Sequence, residues 1–328
     1  MIESIRNNWV LTIIYSIVLV GMLWYPDFAG YNPARVSFLL PCAGIMYEGT
    51  LFHSIGYRLI TLLMAAVNGY ALISLGVRYL SLGKASVLSL FFYLLIVFSC
   101  PQTRLFSTAF PAALLVILGL FALFESGKTK KPFTILFTSS FLVGCACLLN
   151  LSAWIAVVSF VAIGITLNRF SGRNIIVFLG GLLLTFCGCL FYRYLFYKDL
   201  PLFMQTVANN VHTLQVRLIP PTPATLFMSL TFFYLLGKVL LQWLFYSMGN
   251  QSYRYKVFSS ILWMLVICTI PISLFSSNLA GFLPIFALPA SLLLAYYYSK
   301  ERITKQMKVE FLVLLLSIAL NQVAYFVQ

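Results

Sequence analysis

Three side chains that commonly serve in acid–base chemistry fall within one stretch of the chain, residues 25–55. They are Asp27, Glu48 and His53. A carboxylate can accept the proton of a hydroxyl group or help to hold a divalent metal ion, and an imidazole can assist either step. Cations suited to binding phosphate, together with one more histidine, lie just after this stretch and in a second one, residues 192–223. These candidate substrate-binding residues are Arg58, Arg193, Lys198, His212 and Arg217.

Each candidate also has a structural explanation. Asp27 belongs to a Pro-Asp-x-x-Gly stretch that is typical of a turn. Glu48 and His53 can be solvated loop residues, and the cations of residues 192–223 can bind lipid headgroups without any turnover. Both interpretations stay open at the level of the sequence.

The composition identifies the elements that must position these residues. Of 328 residues, 62% are hydrophobic and 9% are charged, and the mean hydropathy is +0.98. A chain of this kind has too few polar side chains to cover a water-soluble globule of its size. Apolar runs of about 20 residues, enough to cross a hydrocarbon layer of ~30 Å, recur along its length. We therefore predict one integral membrane domain over residues 1–328.

The apolar runs predict an all-α fold, a polytopic bundle of about eleven transmembrane helices. The first run ends in bulky residues, Trp24 to Pro26, so we interpret it as a span and not as a cleaved signal peptide. The predicted helices are 8–25, 56–77, 85–100, 108–124, 132–149, 151–168, 174–192, 224–246, 257–274, 279–299 and 309–326. The two long connections, about 25–55 and 192–223, carry the candidate residues.

Basic residues predict how the bundle is oriented. Most of the 21 lysines and arginines fall in alternate connections, which the positive-inside rule assigns to the cytoplasm. The net charge of +14 is therefore attributed to these loops and not to nucleic acid binding. An N-in, C-out bundle results, and both long connections face outward. Their carboxylates and cations would suit a lipid-linked phosphate donor in the outer leaflet.

This orientation is directly testable. A topology reporter fused at Lys130 should read cytoplasmic, and one fused near Asn209 should read periplasmic. The reverse pair of readings would move the candidate residues to the other side of the membrane.

The apolar runs themselves contain few polar groups. The cysteines include two Cys-x-Cys pairs, but residues two apart on a helix point in different directions, so we predict packing and no metal site. Only Arg58, Arg104 and Lys238 come near mid-span depth. No acidic residue is expected in the interior, which argues against a proton-driven pump.

Two family resemblances add to these inferences. The run YLLIVFSCPQTRLFSTAFPAALLVILGLFALFESGKTKKPFTILFTSSFLVGCACLLNLSAWI resembles a family of uncharacterised polytopic inner-membrane proteins of Bacteroidota. The number of spans, the long first outward loop with Asp27 and the late FLPIFALPASLLLAYYYS helix resemble GT-C-type glycosyltransferases. Many of those enzymes have an acidic pair in the first loop and an arginine ahead of the late helix, where this chain has Ser277, Asn278 and Gly281.

The second resemblance implies a bacterial inner-membrane enzyme of the cell envelope that transfers a sugar from a polyprenyl-phosphate carrier. Asp27 would be the base or a metal ligand, Glu48 or His53 would assist, and Arg193 and Arg217 would bind the phosphate. The partners implied are membrane lipids and other membrane proteins. Two alternatives stay open: a non-enzymatic subunit of an envelope assembly or secretion machine, and a lipid or small-molecule transporter.

Overall fold

The computed structural model describes residues 8–28, 55–100, 103, 107–129, 132–196, 205, 223–246, 253–274, 279–299 and 304–327. Within them the chain forms eleven α-helices and no strands, which confirms the predicted all-α fold. The helices are α1 (Trp9–Phe28), α2 (Ile55–Leu75), α3 (Val87–Phe98), α4 (Ala109–Ser126), α5 (Phe133–Leu149), α6 (Trp154–Thr166), α7 (Gly172–Phe196), α8 (Pro223–Tyr246), α9 (Tyr253–Leu274), α10 (Leu279–Tyr298) and α11 (Lys305–Val327).

Seven stretches of helix are long and apolar enough to cross a membrane, by length and composition. They belong to α2, α4 and α7 to α11. This is the architecture of a multi-pass membrane protein. Of the other four helices, α3, α5 and α6 are apolar but shorter, and in α1 the apolar stretch considered is Trp9–Leu23. The 12 residues of α3, for example, rise about 18 Å, less than a hydrocarbon layer of ~30 Å. The predicted number of eleven spans therefore stays a prediction.

Short turns close the helices where the sequence allows a left-handed backbone. Helix α2 continues into a π-helical turn, Gly76–Leu80, and ends at Ser81 with φ 55°. Helix α6 ends at Thr166, the following turn places Asn168 at φ 55°, and the next amide, that of Arg169, donates to the Gly164 carbonyl. Asparagine tolerates this conformation better than most residues, so it can end a helix abruptly.

Helix α10 forms the centre of the bundle. It packs against α3, α4, α8 and α9. In its apolar stretch Gly281–Tyr298, 94% of the residues are buried, compared with 22% in the stretch Gly172–Tyr192 of α7. Its last turn carries Tyr298, whose ring stacks on Phe92 of α3 with centroids 5.4 Å apart. A helix that is apolar on all sides is expected at the centre of such a bundle, because every face must contact other side chains.

Helix α7 is attached to the bundle through small residues. Its main neighbour is α5, and the two backbones approach closely at Gly181 and Gly144. A Cβ atom added to Gly181 would lie 2.0 Å from the Ser140 Oγ, and one added to Gly144 would lie 2.7 Å from the Thr185 Oγ1. Small residues at helix contacts are typical of membrane bundles, where close van der Waals packing replaces the hydrophobic effect.

Candidate functional site

One end of the bundle carries a network of charged and aromatic side chains. Arg78, in the turn after α2, donates to the Glu125 carboxylate at the end of α4, with Nη2 and Oε2 3.0 Å apart. The Tyr79 hydroxyl donates to the same oxygen at 2.8 Å. The Lys128 ammonium lies 4.5 Å from the Tyr79 ring centroid and 5.7 Å from that of Tyr253 on α9. We call this the basic end.

A further contact brings α6 to the same place. The Arg169 guanidinium, just after α6, donates to the Gly127 carbonyl, and the Tyr253 hydroxyl donates to the Phe124 carbonyl. Four loops or helix ends that the sequence assigns to one side of the membrane are thus in direct contact. Arg78 is bound to a carboxylate, Lys128 to aromatic rings and Arg169 to a carbonyl, so the network joins α2, α4, α6 and α9.

The opposite end is held by uncharged amides. On α11, Asn321 Nδ2 donates to the Ser99 carbonyl at 3.1 Å, and Gln322 Nε2 donates to the same carbonyl at 2.7 Å. These bonds satisfy carbonyls at the C-terminal end of α3 that have no partner inside the helix. Between α5 and α6, Asn150 reaches the Gly281 carbonyl near the start of α10 at 3.4 Å. We call this the amide end.

Three of the predicted site residues lie in described helices. Arg58 is in the first turn of α2 and Arg193 is in the last turn of α7. Because α2 finishes, and α7 begins, beside the network at the basic end, both residues belong to the amide end. Asp27 was expected in a loop beginning near Tyr25, but α1 continues to Phe28, so Asp27 lies in its last helical turn.

The remaining predicted site residues lie outside the described residues. They are Glu48, His53, Lys198, His212 and Arg217. Their grouping into one site with Asp27 stays a prediction.

A buried ion pair between α8 and α11 contradicts one inference from the sequence. The Lys238 ammonium donates to Glu310 Oε1, and the Tyr297 hydroxyl of α10 donates to Oε2 at 2.8 Å. The Glu310 side chain is 7% exposed and that of Lys238 is 23% exposed. The expectation that the interior contains no acidic residue was therefore wrong. Glu310 lies only about one and a half turns from the start of α11 and follows Lys305 and Lys308, so its position in the sequence is typical of a solvated residue.

The sequence did contain a signal for this pair. Lys238 stands inside an apolar helix, and a charge at such depth normally has a partner. Of the seven acidic residues, Glu310 directly precedes a long apolar run, which made it a candidate for that partner.

Two buried polar atoms have no hydrogen-bond partner among the described residues. One is the hydroxyl of Tyr298, which is next to Tyr297 and within electrostatic range of Glu310. The other is Asn68 Oδ1 on α2, although its Nδ2 donates to the Phe110 carbonyl at 3.0 Å and the Tyr93 hydroxyl at 3.1 Å. Buried polar atoms are nearly always paired, so an unpaired one indicates a place for water or another small polar group.

The described part of the chain contains no group of three or more His, Cys, Asp or Glu side chains that could hold a metal ion. Cys145 and Cys147 lie on α5 and Cys187 and Cys189 lie on α7, and none of these four is in a disulfide bond. A divalent metal at the predicted site would need Asp27, in the last turn of α1, or the carboxylates of the long connections.

No protein-family model, curated protein or solved structure matches this chain. The resemblances to the Bacteroidota family and to GT-C-type transferases accordingly stay predictions. Any functional proposal rests on the residues and geometry of this chain alone.

Proposed function

We propose that this chain is a multi-pass protein of the bacterial inner membrane that binds a polyprenyl-phosphate-linked sugar at its amide end and transfers the sugar to an acceptor hydroxyl. The amide end would face the outer leaflet and the basic end the cytoplasm, following the positive-inside rule. Asp27, Glu48 and His53 would supply acid–base groups. Arg58, Arg193, Lys198, His212 and Arg217 would hold the phosphate.

The observation that carries this proposal is the unequal length of the connections at the two ends. At the basic end the helices are joined by short segments, such as 127–132, 167–171, 247–252 and 299–304. Both long segments belong to the amide end: 29–54 leads into the start of α2, and 197–222 joins the end of α7 to the start of α8. Long connections on a rigid helical scaffold are where binding and catalytic residues are most often found.

The residue types in these segments and at the helix ends beside them suit a sugar transfer. The acceptor hydroxyl oxygen would bond to the anomeric carbon while the bond from that carbon to the phosphate oxygen breaks. The electron pair of the broken bond would stay with the leaving polyprenyl phosphate, whose charge the arginines balance. The hydroxyl proton would pass to the Asp27 carboxylate.

The transporter alternative is supported by one observation, the Lys238–Glu310 pair inside the bundle. Ionisable groups within membrane helices are costly and often mark a pathway for ions or protons. Among the described helices, however, α10 is closely packed on all sides, which favours a tightly packed centre over a wide transport path.

We expect Asp27→Asn to abolish sugar transfer at a normal protein level. Because the amide cannot accept the hydroxyl proton, the lipid-linked sugar should accumulate, and we expect the same accumulation in a strain that lacks the gene. Mass spectrometry of extracted polyprenyl-phosphate lipids, at matched expression, measures this. The control is Glu125→Gln, which removes a carboxylate at the basic end and should leave the lipid profile unchanged.

Three results separate the interpretations. A wild-type lipid profile with Asp27→Asn would leave Asp27 with a structural role only. A deletion strain with unchanged total lipid but an altered distribution between the leaflets would support a transporter. A deletion with no lipid change would reject both activities and leave the subunit interpretation.

A further inference from the structure

Two arginines of the basic end are held by uncharged groups. Arg169, just after α6, donates to the Gly127 carbonyl. Arg173, in the first turn of α7, lies over the Phe133 ring, with its guanidinium carbon 4.4 Å from the ring centroid. Gly127 and Phe133 stand at the two ends of the connection between α4 and α5. The two arginines therefore hold that connection while their charges stay uncompensated.

The described carboxylates near this end are already paired with other cations. Glu125 and Glu310 each form an ion pair with a different residue. Arg169 and Arg173 form no ion pair within the part of the chain that the structure describes. Lys128, in the connection between α4 and α5, is held by tyrosine rings. Three cations thus share one surface without a described counter-charge, and such a cluster attracts anions.

The arginines can supply directional hydrogen bonds as well as charge. A guanidinium carries five N–H donors, and the Gly127 carbonyl accepts from one nitrogen of Arg169. The ring under Arg173 limits the movement of that side chain, so less entropy is lost when its donors bind. Planar guanidinium groups also match the oxygens of a phosphate better than a lysine ammonium does. A phosphate is therefore the anion that these residues fit.

Exposed apolar side chains continue along α7 from Arg173, which is itself exposed. Ile176 is three residues further, on the same side of the helix, and is 72% exposed, and Leu183, about two more turns along, is 61% exposed. Between them, a Cβ added to Gly180 would meet nothing within 4 Å, so the helix surface is open there. This face of α7 presents a cation and then apolar surface, the order of headgroup and acyl chains in a phospholipid.

We propose that Lys128, Arg169 and Arg173 bind the headgroup phosphate of an anionic phospholipid, whose acyl chains lie along the Ile176 and Leu183 face of α7. We call these three cations the headgroup site. The lipid belongs to the leaflet beside the basic end, so the headgroup site is separate from the site proposed at the amide end. The apolar face favours a lipid over a free phosphate ion, because only a lipid has acyl chains that can cover it.

The test is native mass spectrometry of the full chain in detergent. The probes are phosphatidylglycerol, phosphatidylcholine with the same acyl chains, and inorganic phosphate. Wild-type protein should bind phosphatidylglycerol more tightly than phosphatidylcholine, and inorganic phosphate at the same concentration should not displace the lipid. Arg169→Gln with Arg173→Gln should weaken phosphatidylglycerol binding about 30-fold, because each cation near an anionic headgroup contributes a factor of about five.

The matched control removes two other exposed cations of the basic end, by Lys84→Gln with Lys305→Gln. This control should leave phosphatidylglycerol binding unchanged within about two-fold, since each lysine lies outside the headgroup site. Arg173→Gln alone covers the case in which the double arginine variant does not fold, because the Arg173 side chain is exposed. It should weaken binding about five-fold.

Three results would overturn the proposal. Unchanged binding by the arginine variants would show that the lipid does not use these side chains. An equal loss in the lysine control, or equal affinity for the two lipids, would show that no defined headgroup site exists. Displacement of the lipid by inorganic phosphate would assign the surface to a free anion. None of these measurements concerns sugar transfer at the amide end, which is measured separately on extracted lipids.

Discussion

Lys238→Met should lower the free energy of unfolding by about 3–5 kcal/mol, because it leaves the carboxylate of Glu310 buried without its counterion. Denaturant or thermal unfolding of the purified wild-type and variant proteins in one detergent measures the difference.

Two variants act as controls for this loss. The double variant Lys238→Met with Glu310→Gln should recover most of the stability, because no unpaired charge remains. Arg78→Gln, at the exposed rim pair, should cost about 0–1 kcal/mol. If Lys238→Met and Arg78→Gln had equal small effects, the Lys238–Glu310 pair would have to be accessible to water.

Gly181→Ala should destabilise the protein by about 1–3 kcal/mol and loosen the contact of α7 with α5. The new Cβ would lie 2.0 Å from the Ser140 Oγ and 2.9 Å from the Phe137 carbonyl oxygen. The serine hydroxyl can rotate, but the backbone oxygen can move only with its helix. The same unfolding measurement and backbone hydrogen exchange of α7 report the effect.

The neighbouring glycine is a matched control. A Cβ at Gly180 would meet nothing within 4 Å. Gly180→Ala should therefore stabilise the protein by about 0.5–1 kcal/mol, because alanine loses less backbone entropy than glycine in a helix. If Gly180→Ala raises the free energy of unfolding and Gly181→Ala lowers it, the close α5–α7 contact is supported. Changes of the same sign in both variants would contradict it.

The sequence by itself determined the helices of the described chain. The predicted helix 132–149 corresponds to Phe133–Leu149, and 279–299 corresponds to Leu279–Tyr298. This success has a physical basis. Backbone amides inside a hydrocarbon layer must be satisfied within the segment, so an apolar run of sufficient length has little choice but a helix. Basic connections alternate along the sequence with connections that carry few charges. Arg78, Lys128 and Arg169, which come from the basic set, do meet at one end of the bundle.

The end of α1 shows where this reasoning became less reliable. Pro26 and Asp27 are residues that usually interrupt helices, so a turn was predicted after Tyr25. The helix nevertheless continues to Phe28. Local propensity places helix ends only to within a few residues, because the last turn makes few hydrogen bonds and costs little to extend.

Only the tertiary structure decided which polar residues are buried and which glycines are in contact. Gly180 and Gly181 are neighbouring glycines that the sequence does not distinguish. They differ by a rotation of about 100° around the helix axis, which places Gly180 in open space and Gly181 against α5. Glu310 follows Lys305 and Lys308 and looks like a solvated helix start. It is buried because α8 and α10 pack over it and supply Lys238 and Tyr297. The packing of distant segments sets a side chain's surroundings, and in a chain this uniformly apolar the pattern along one helix does not specify its neighbours.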